Sequence, residues 1–280
     1  MPYLKVADER GYPVNLYFQD LGEGKPVVLI HGWPLSHRMW EYQINALTEA
    51  GYRCIAYDRR GFGDSDKPWS GYDYNTMSRD LHELMSALDL QDVTLVGFSM
   101  GGGEVARYFG QFGTSDQGRV SKAMLISAVT PYLLQTDDNP DGVPQDAFDE
   151  FMQNVKTDRI AFLDGFGKQF VNFDDLGGER VSEDLVHYNK TIASFASPKA
   201  TQDCITAFGT TNFRPDMGKI TVPTLVVHGD ADQIVPLDAS GKQAAEMIGD
   251  SRLEVIEGAP HGLNYTHAER LNELMLDFLR

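Results

Sequence analysis

The sequence predicts an α/β protein: a mainly parallel, eight-stranded sheet flanked by helices, with a helical cap inserted before its last two strands. Three observations carry this. Short apolar runs alternate with longer amphipathic segments. Each run is four to six residues long and mostly aliphatic or β-branched, as strands covered on both faces tend to be. The alternation then fails between residues 131 and 221 and resumes afterwards.

Taken in order, residues 3–7 and 14–19 read as an N-terminal hairpin. The buried strands follow at 27–31, 54–57, 93–97, 123–128, 224–229 and 253–257. Helices fit between them at 39–49, 76–88, 102–112, 238–247 and 267–279. In the last of these Leu271, Leu274, Met275 and Phe278 fall on one face, the spacing of an amphipathic helix. The interrupted stretch holds Pro131, Pro140, Pro144, Pro198 and Pro215, Asp-rich turns and Phe-rich helical pieces. It predicts a division into a core of residues 1–130 and 222–280 and a helical cap of residues 131–221, lying over the strand ends.

Length and composition narrow the function. A chain of 280 residues with 42% hydrophobic content buries a sizeable core. Its net charge of −17 repels a phosphate backbone, which argues against nucleic-acid binding. Cys54 and Cys204 form neither a disulfide framework nor a metal-ligand spacing, and Cys54 sits in an apolar run as a small hydrophobe. No apolar stretch approaches the ~20 residues that cross a bilayer, and the first residues lack the apolar centre of a signal peptide. The expectations are a cytoplasmic protein with no membrane partner, no cofactor and no metal.

The strongest local signal is Gly97-Phe98-Ser99-Met100-Gly101. A predicted strand precedes it and a predicted helix follows, so Ser99 falls on a sharp strand-to-helix turn that exposes its hydroxyl. A serine hydroxyl needs a base to become a nucleophile. Of seven histidines, His261 follows the last strand in Gly-Ala-Pro-His-Gly, at the sheet edge where reacting groups gather. His267, in the next helix, is the weaker candidate, and His31 and His228 read as structural. The base needs an acid to hold its tautomer. Asp232 lies two residues beyond Asp230 and reaches further toward the last loop, while Asp230 reads as a turn former. The order Ser, Asp, His is the one this arrangement expects. The oxyanion of a tetrahedral intermediate needs donors. Those expected are the backbone N–H of Met100 and that of Trp33, since Pro34 has none.

Five blocks carry a resemblance: HGWPL at 31–35, YDRRGFGDS at 57–65, GFSMGGGE at 97–104, HGDADQIVP at 228–236 and GAPHGLNYTHAE at 258–269. Together they resemble the cofactor-free bacterial haloperoxidases, perhydrolases and aryl esterases of the α/β-hydrolase fold. The segment DDNPDGVPQ at 137–145 is similar to that of the related γ-lactamases. The resemblance implies that the second Asp of HGDxDQ is the acid, which is Asp232 here. It also implies that Pro34 favours perhydrolysis by turning the Trp33 carbonyl toward attacking hydrogen peroxide. Halide would then be oxidised in solution by the released peracid. Relatives commonly form trimers or hexamers, so a homo-oligomer is expected.

The expected reaction is hydrolysis of small carboxyl or aryl esters through an acyl-enzyme, with water or hydrogen peroxide as second substrate. A γ-lactamase or other amidase acting on small cyclic amides is the alternative, and a non-catalytic binding protein of the same fold the remote one. Trp33, Pro34, Phe98, Met100, Ile234 and Leu237 are expected around the acyl group because they flank the reacting residues. Phe162, Phe166 and Phe170, at helical spacing in the cap, are expected above it.

Overall fold

A computed structural model describes residues 2–113, 115–116 and 118–280. Strands β1 (Tyr3–Glu9), β2 (Tyr12–Leu21), β3 (Pro26–Ile30), β4 (Arg53–Tyr57), β5 (Val93–Phe98), β6 (Val120–Ile126), β7 (Thr224–Gly229) and β8 (Ser251–Ile256) form one sheet, in the order β1-β2-β4-β3-β5-β6-β7-β8. The β1–β2 and β2–β4 pairings are antiparallel, and every pairing from β4 to β8 is parallel. The central strands β5 and β7 are buried along their whole length, which is why they read as mostly aliphatic or β-branched runs. At the far edge β8 is half exposed, and its sequence is correspondingly mixed.

The helices are α1 (Glu41–Glu49), α2 (Tyr74–Ala87), α3 (Met100–Phe112), α4 (Gln145–Phe170), α5 (Phe173–Leu176), α6 (Glu183–Ser194), α7 (Pro198–Thr210), α8 (Arg214–Met217), α9 (Gly241–Met247), α10 (Leu263–Thr266) and α11 (Ala268–Leu279). Their starts follow local chemistry. The carboxylate of Asp73 accepts from the Thr76 N–H to cap α2, and Ser182 and Ser197 cap α6 and α7 in the same way. The 26-residue α4 is two helices in series: Asp158 leaves the helical region at φ −150°, and its side chain accepts the Ala161 N–H as a fresh cap. Helices α4 to α8 all fall between β6 and β7. Among the described residues no helix is long and apolar enough to cross a membrane.

Several boundaries differ from the sequence reading. Helix α3 starts at Met100, two residues earlier than 102, because the turn at Ser99 leads straight into it. Strand β6 ends at Ile126 instead of running to 128, because Ser127 takes a positive φ of 45°. The segment expected to be helical from 238 turns first at 237–240, where the Leu237 carbonyl accepts the N–H groups of Ser240 and Lys242. The last helix is preceded by the separate turn α10, and His267 breaks the two apart at φ −128°, ψ 37°.

Candidate active site

Ser99 sits between β5 and α3 at φ 53°, ψ −117°, a conformation that costs a non-glycine residue strain. Neighbouring contacts hold it there. The Ser99 N–H donates to the Ile126 carbonyl at 2.8 Å, and the Gly102 N–H donates back to the Ser99 carbonyl at 2.9 Å. The glycines leave room for close backbone approach: a Cβ on Gly101 would overlap the Ile30 carbonyl oxygen. The loop after β3 comes equally near, since a Cβ on Gly32 would lie 3.3 Å from the Ser99 Cβ.

Three loops at the carboxyl edge of the sheet converge on this serine. The Ser99 hydroxyl lies 2.9 Å from Nε2 of His261, and Nδ1 of His261 lies 2.7 Å from Oδ2 of Asp232. The other carboxylate oxygen of Asp232 accepts the N–H groups of Ile234 and Val235, each at 2.9 Å. Burial would raise the Asp232 carboxyl, but the charge of His261 and hydrogen bonds from His228 and His261 outweigh it. They hold the carboxyl well below the usual carboxylate range. The loops are also tied to one another. Asp230 accepts the Gly258 N–H at 2.7 Å, and the Ala231 N–H donates to the Ala259 carbonyl at 3.1 Å.

Met100 is the first residue of α3, so its N–H has no acceptor within the helix and lies at the positive end of the helix dipole. Trp33, in the loop that abuts Ser99, is anchored by its indole N–H, which donates to the Thr201 carbonyl at 3.1 Å. His31 is a structural residue. Its Nε2 accepts the Arg59 N–H at 3.0 Å, and its Nδ1 donates to the Gly32 carbonyl at 2.9 Å. Burial first, then the Arg59 charge, lower its pKa to about 3, so it stays neutral. His228 lies 2.9 Å from the Val235 carbonyl and 3.3 Å from Asp232, and His267 bonds to Thr266.

The sequence model for the alpha/beta hydrolase fold matches residues 25–268. The chain belongs to the α/β-hydrolase family. It is 49% identical to a putative non-heme chloroperoxidase of Synechocystis sp., over the whole of both chains. It is 37% identical to a bifunctional esterase/perhydrolase of Acinetobacter calcoaceticus, covering 95% of this chain and 96% of that one. A crystal structure of bromoperoxidase from Bacillus anthracis superposes with a TM-score of 0.94 at 52% identity, covering 99% and 98% of the two chains.

This α/β hydrolase carries a cavity over Ser99 and His261. Apart from those two residues its wall is apolar: of the residues singled out in the sequence it includes Trp33, Ile234 and Phe166, with Phe148, Phe151 and Phe208 among the others. Six expected wall residues lie elsewhere. Phe98 is fully buried beneath the site, its ring 5.2 Å from that of His261 and 6.1 Å from that of Trp40. Leu237 is carried off by the turn before α9. Phe162 stacks behind Phe166 at 5.9 Å, one ring removed from the cavity. Pro34 borders a different, smaller void, because the chain turns back between Gly32 and Leu35. Met100 contributes its position at the helix start and no wall. Phe170 packs edge-on against His261 at 5.2 Å.

Sequence reasoning missed the residues that hold the loops. Ser127 donates to the His261 carbonyl at 3.2 Å, the Gly262 N–H donates to the Phe170 carbonyl at 2.6 Å, and Asn172 donates to the Ala231 carbonyl at 3.0 Å. Ser127 was detectable as a polar residue closing an apolar strand at the reactive edge; nothing local marks Asn172. Among the described residues the only grouping of metal-ligand type is His37, Asp58 and Asp64. The Asp58 oxygens there already accept from the main chain and ring of His37 and the N–H of Asp64, so the group is a protein-internal network.

Proposed function

We propose that the chain is a serine esterase with perhydrolase activity, acting on small acyl substrates through an acyl-enzyme. The observation that carries the reading is the relay of hydroxyl, imidazole and carboxylate, with links of 2.9 and 2.7 Å, opening on an apolar cavity. The names of the chloroperoxidase and esterase/perhydrolase relatives support it.

In this reading the Ser99 oxygen attacks the acyl carbonyl while Nε2 of His261 takes its proton. Asp232, held ionised, keeps Nδ1 protonated and stabilises the imidazolium that forms. The N–H groups of Met100 and Trp33 stabilise the oxyanion, each worth about 3 kcal/mol in such sites. The imidazolium protonates the leaving alcohol, and water or hydrogen peroxide then attacks the acyl-enzyme through the same base. Water yields a carboxylic acid and hydrogen peroxide a peroxy acid, which oxidises halide in solution. The narrow aromatic wall favours short-chain or aryl esters. Pro34, whose ring lies outside the cavity, acts on the choice of nucleophile through the Trp33 carbonyl.

The test is p-nitrophenyl acetate hydrolysis, and peracetic acid formation from acetate with hydrogen peroxide, in the wild-type chain and in Ser99→Ala. The variant is expected to lose about 10⁶-fold in kcat with an unchanged thermal unfolding midpoint. Retention of most of the rate sinks the reading.

A further inference from the structure

A second void lies against the first. Its walls include Pro34, Leu163, Phe166, Phe170 and Asn189, and it has room for a molecule of about water size. Phe166 borders both spaces, so one ring separates the void from the cavity over Ser99. Phe170, another wall, lies against the imidazole of His261 with ring centres 5.2 Å apart.

Apart from Asn189, the wall is aliphatic and aromatic. The Asn189 side chain is buried, at 3% exposure, and neither its Oδ1 nor its Nδ2 has a protein partner. Buried amides are hydrogen-bonded in the great majority of proteins, so one with both ends unpaired calls for a ligand. An amide offers one acceptor and one donor group side by side, and the small molecules that match both are hydroxylic: H–OH or HO–OH.

We infer that the void bounded by Pro34, Phe166 and Asn189 is a holding site for the small hydroxylic nucleophile that attacks the acyl-enzyme. The inference rests on the esterase/perhydrolase reading and adds a site to it. Displacement of the Phe166 ring passes the molecule to the acylated serine. There its oxygen bonds to the acyl carbon and its proton goes to Nε2 of His261. The bond between that carbon and the Ser99 Oγ breaks, and Oγ takes the proton back. The apolar wall keeps bulkier, hydrated nucleophiles out, while Asn189 stops the space from being dry.

The experiment separates acylation from deacylation. With p-nitrophenyl acetate the pre-steady-state burst of p-nitrophenol reports acylation, and steady turnover reports deacylation by water. Peracetic acid formation over graded hydrogen peroxide reports deacylation by peroxide. Absence of any burst or turnover in the wild-type chain refutes the esterase reading, before any variant is measured. Given a normal burst, Asn189→Leu is expected to slow deacylation by water, or raise the peroxide concentration at half-maximal rate, by about tenfold. A change in either arm supports the site and tells which nucleophile it holds. Unchanged deacylation in both arms overturns it, and a lower melting temperature with unchanged deacylation marks Asn189 as structural. Asn189→Thr, which keeps a hydroxyl, should restore part of the lost rate. Should neither variant fold, a high-resolution crystal structure of the wild-type chain decides. Density for a water or peroxide bridging Oδ1 and Nδ2 of Asn189 is expected, and a dry void overturns the inference.

Discussion

At the residue scale, Asp232 concentrates more interactions than any other charged group near Ser99. Two backbone N–H groups fix one of its oxygens, and two imidazoles lie near the other. Asp232→Asn keeps the shape but removes the charge and allows the wrong tautomer of His261. Ester turnover is expected to fall by about 10⁴-fold, as in related triads, with the circular dichroism spectrum unchanged; a loss under tenfold would show that orientation alone suffices. Pro34→Leu tests the neighbouring loop. Because Pro34 is proposed to act through the Trp33 carbonyl and its ring lies outside the cavity over Ser99, the substitution is expected to lower the ratio of peracid formation to hydrolysis and to leave KM for the ester unaltered. A flat ratio makes Pro34 a loop residue with no part in choosing the nucleophile.

At the scale of elements, the strand-to-helix turn depends on backbone packed against backbone. A Cβ at Gly101 would overlap the Ile30 carbonyl, which belongs to a central strand and cannot retreat. Gly101→Ala is therefore expected to destabilise the protein by about 3 kcal/mol, read by urea unfolding. Gly165, on an exposed turn of α4, is the contrasting case. A Cβ there meets nothing within 4 Å, so Gly165→Ala is expected to stabilise by about 0.5–1 kcal/mol. Equal effects at the two positions would refute this account of the turn. Part of this was legible beforehand: the GFSMGGGE block, with its strand before and helix after, marked Ser99. The break in α4 was not, because Asp158 differs in no visible way from other surface carboxylates until its side chain caps the second half.

At the scale of the whole molecule, buried ionisable groups set the response to acid. His31 binds a proton near pH 6.5 in the unfolded chain but only near pH 3 when folded. Between those values the unfolded state carries the extra proton, so stability rises with pH across that window and is lost as pH falls. Going from pH 7 to pH 5 is expected to cost about 2 kcal/mol from this residue. Urea unfolding at the two pH values measures it, and a fold indifferent to that change sinks the assignment. Asp232 acts in the same direction lower down. Its stabilisation is complete above the ordinary carboxylate range and is lost as pH drops below it. Behind Ser99 a buried network links α3 to the β3 loop. Arg59 bonds Glu104 at 2.8 Å and the His31 carbonyl at 2.9 Å, and Tyr57 bonds Glu104 as well. In the sequence Arg59 and Glu104 stand 45 positions apart, and nothing local shows that they pair.

What the sequence determined by itself was periodic or tied to a turn. The order of strands and helices, the family, the serine at its glycine-rich turn and the two loops bearing Asp232 and His261 follow from hydrophobic alternation and short motifs, which are local properties. What only the tertiary structure decided was contact between distant segments. It tied the Asp232 and His261 loops together through Asp230 and Gly258, and anchored both from the end of α4 and just beyond it. It placed Phe148, Phe151 and Phe208 in the cavity wall while setting Phe98, Phe162, Pro34 and Leu237 outside it. The physical reason is that a side chain's neighbours depend on how helices far apart in sequence pack over the sheet edge. That packing is settled by the summed burial of the whole core, and no short stretch of sequence records it.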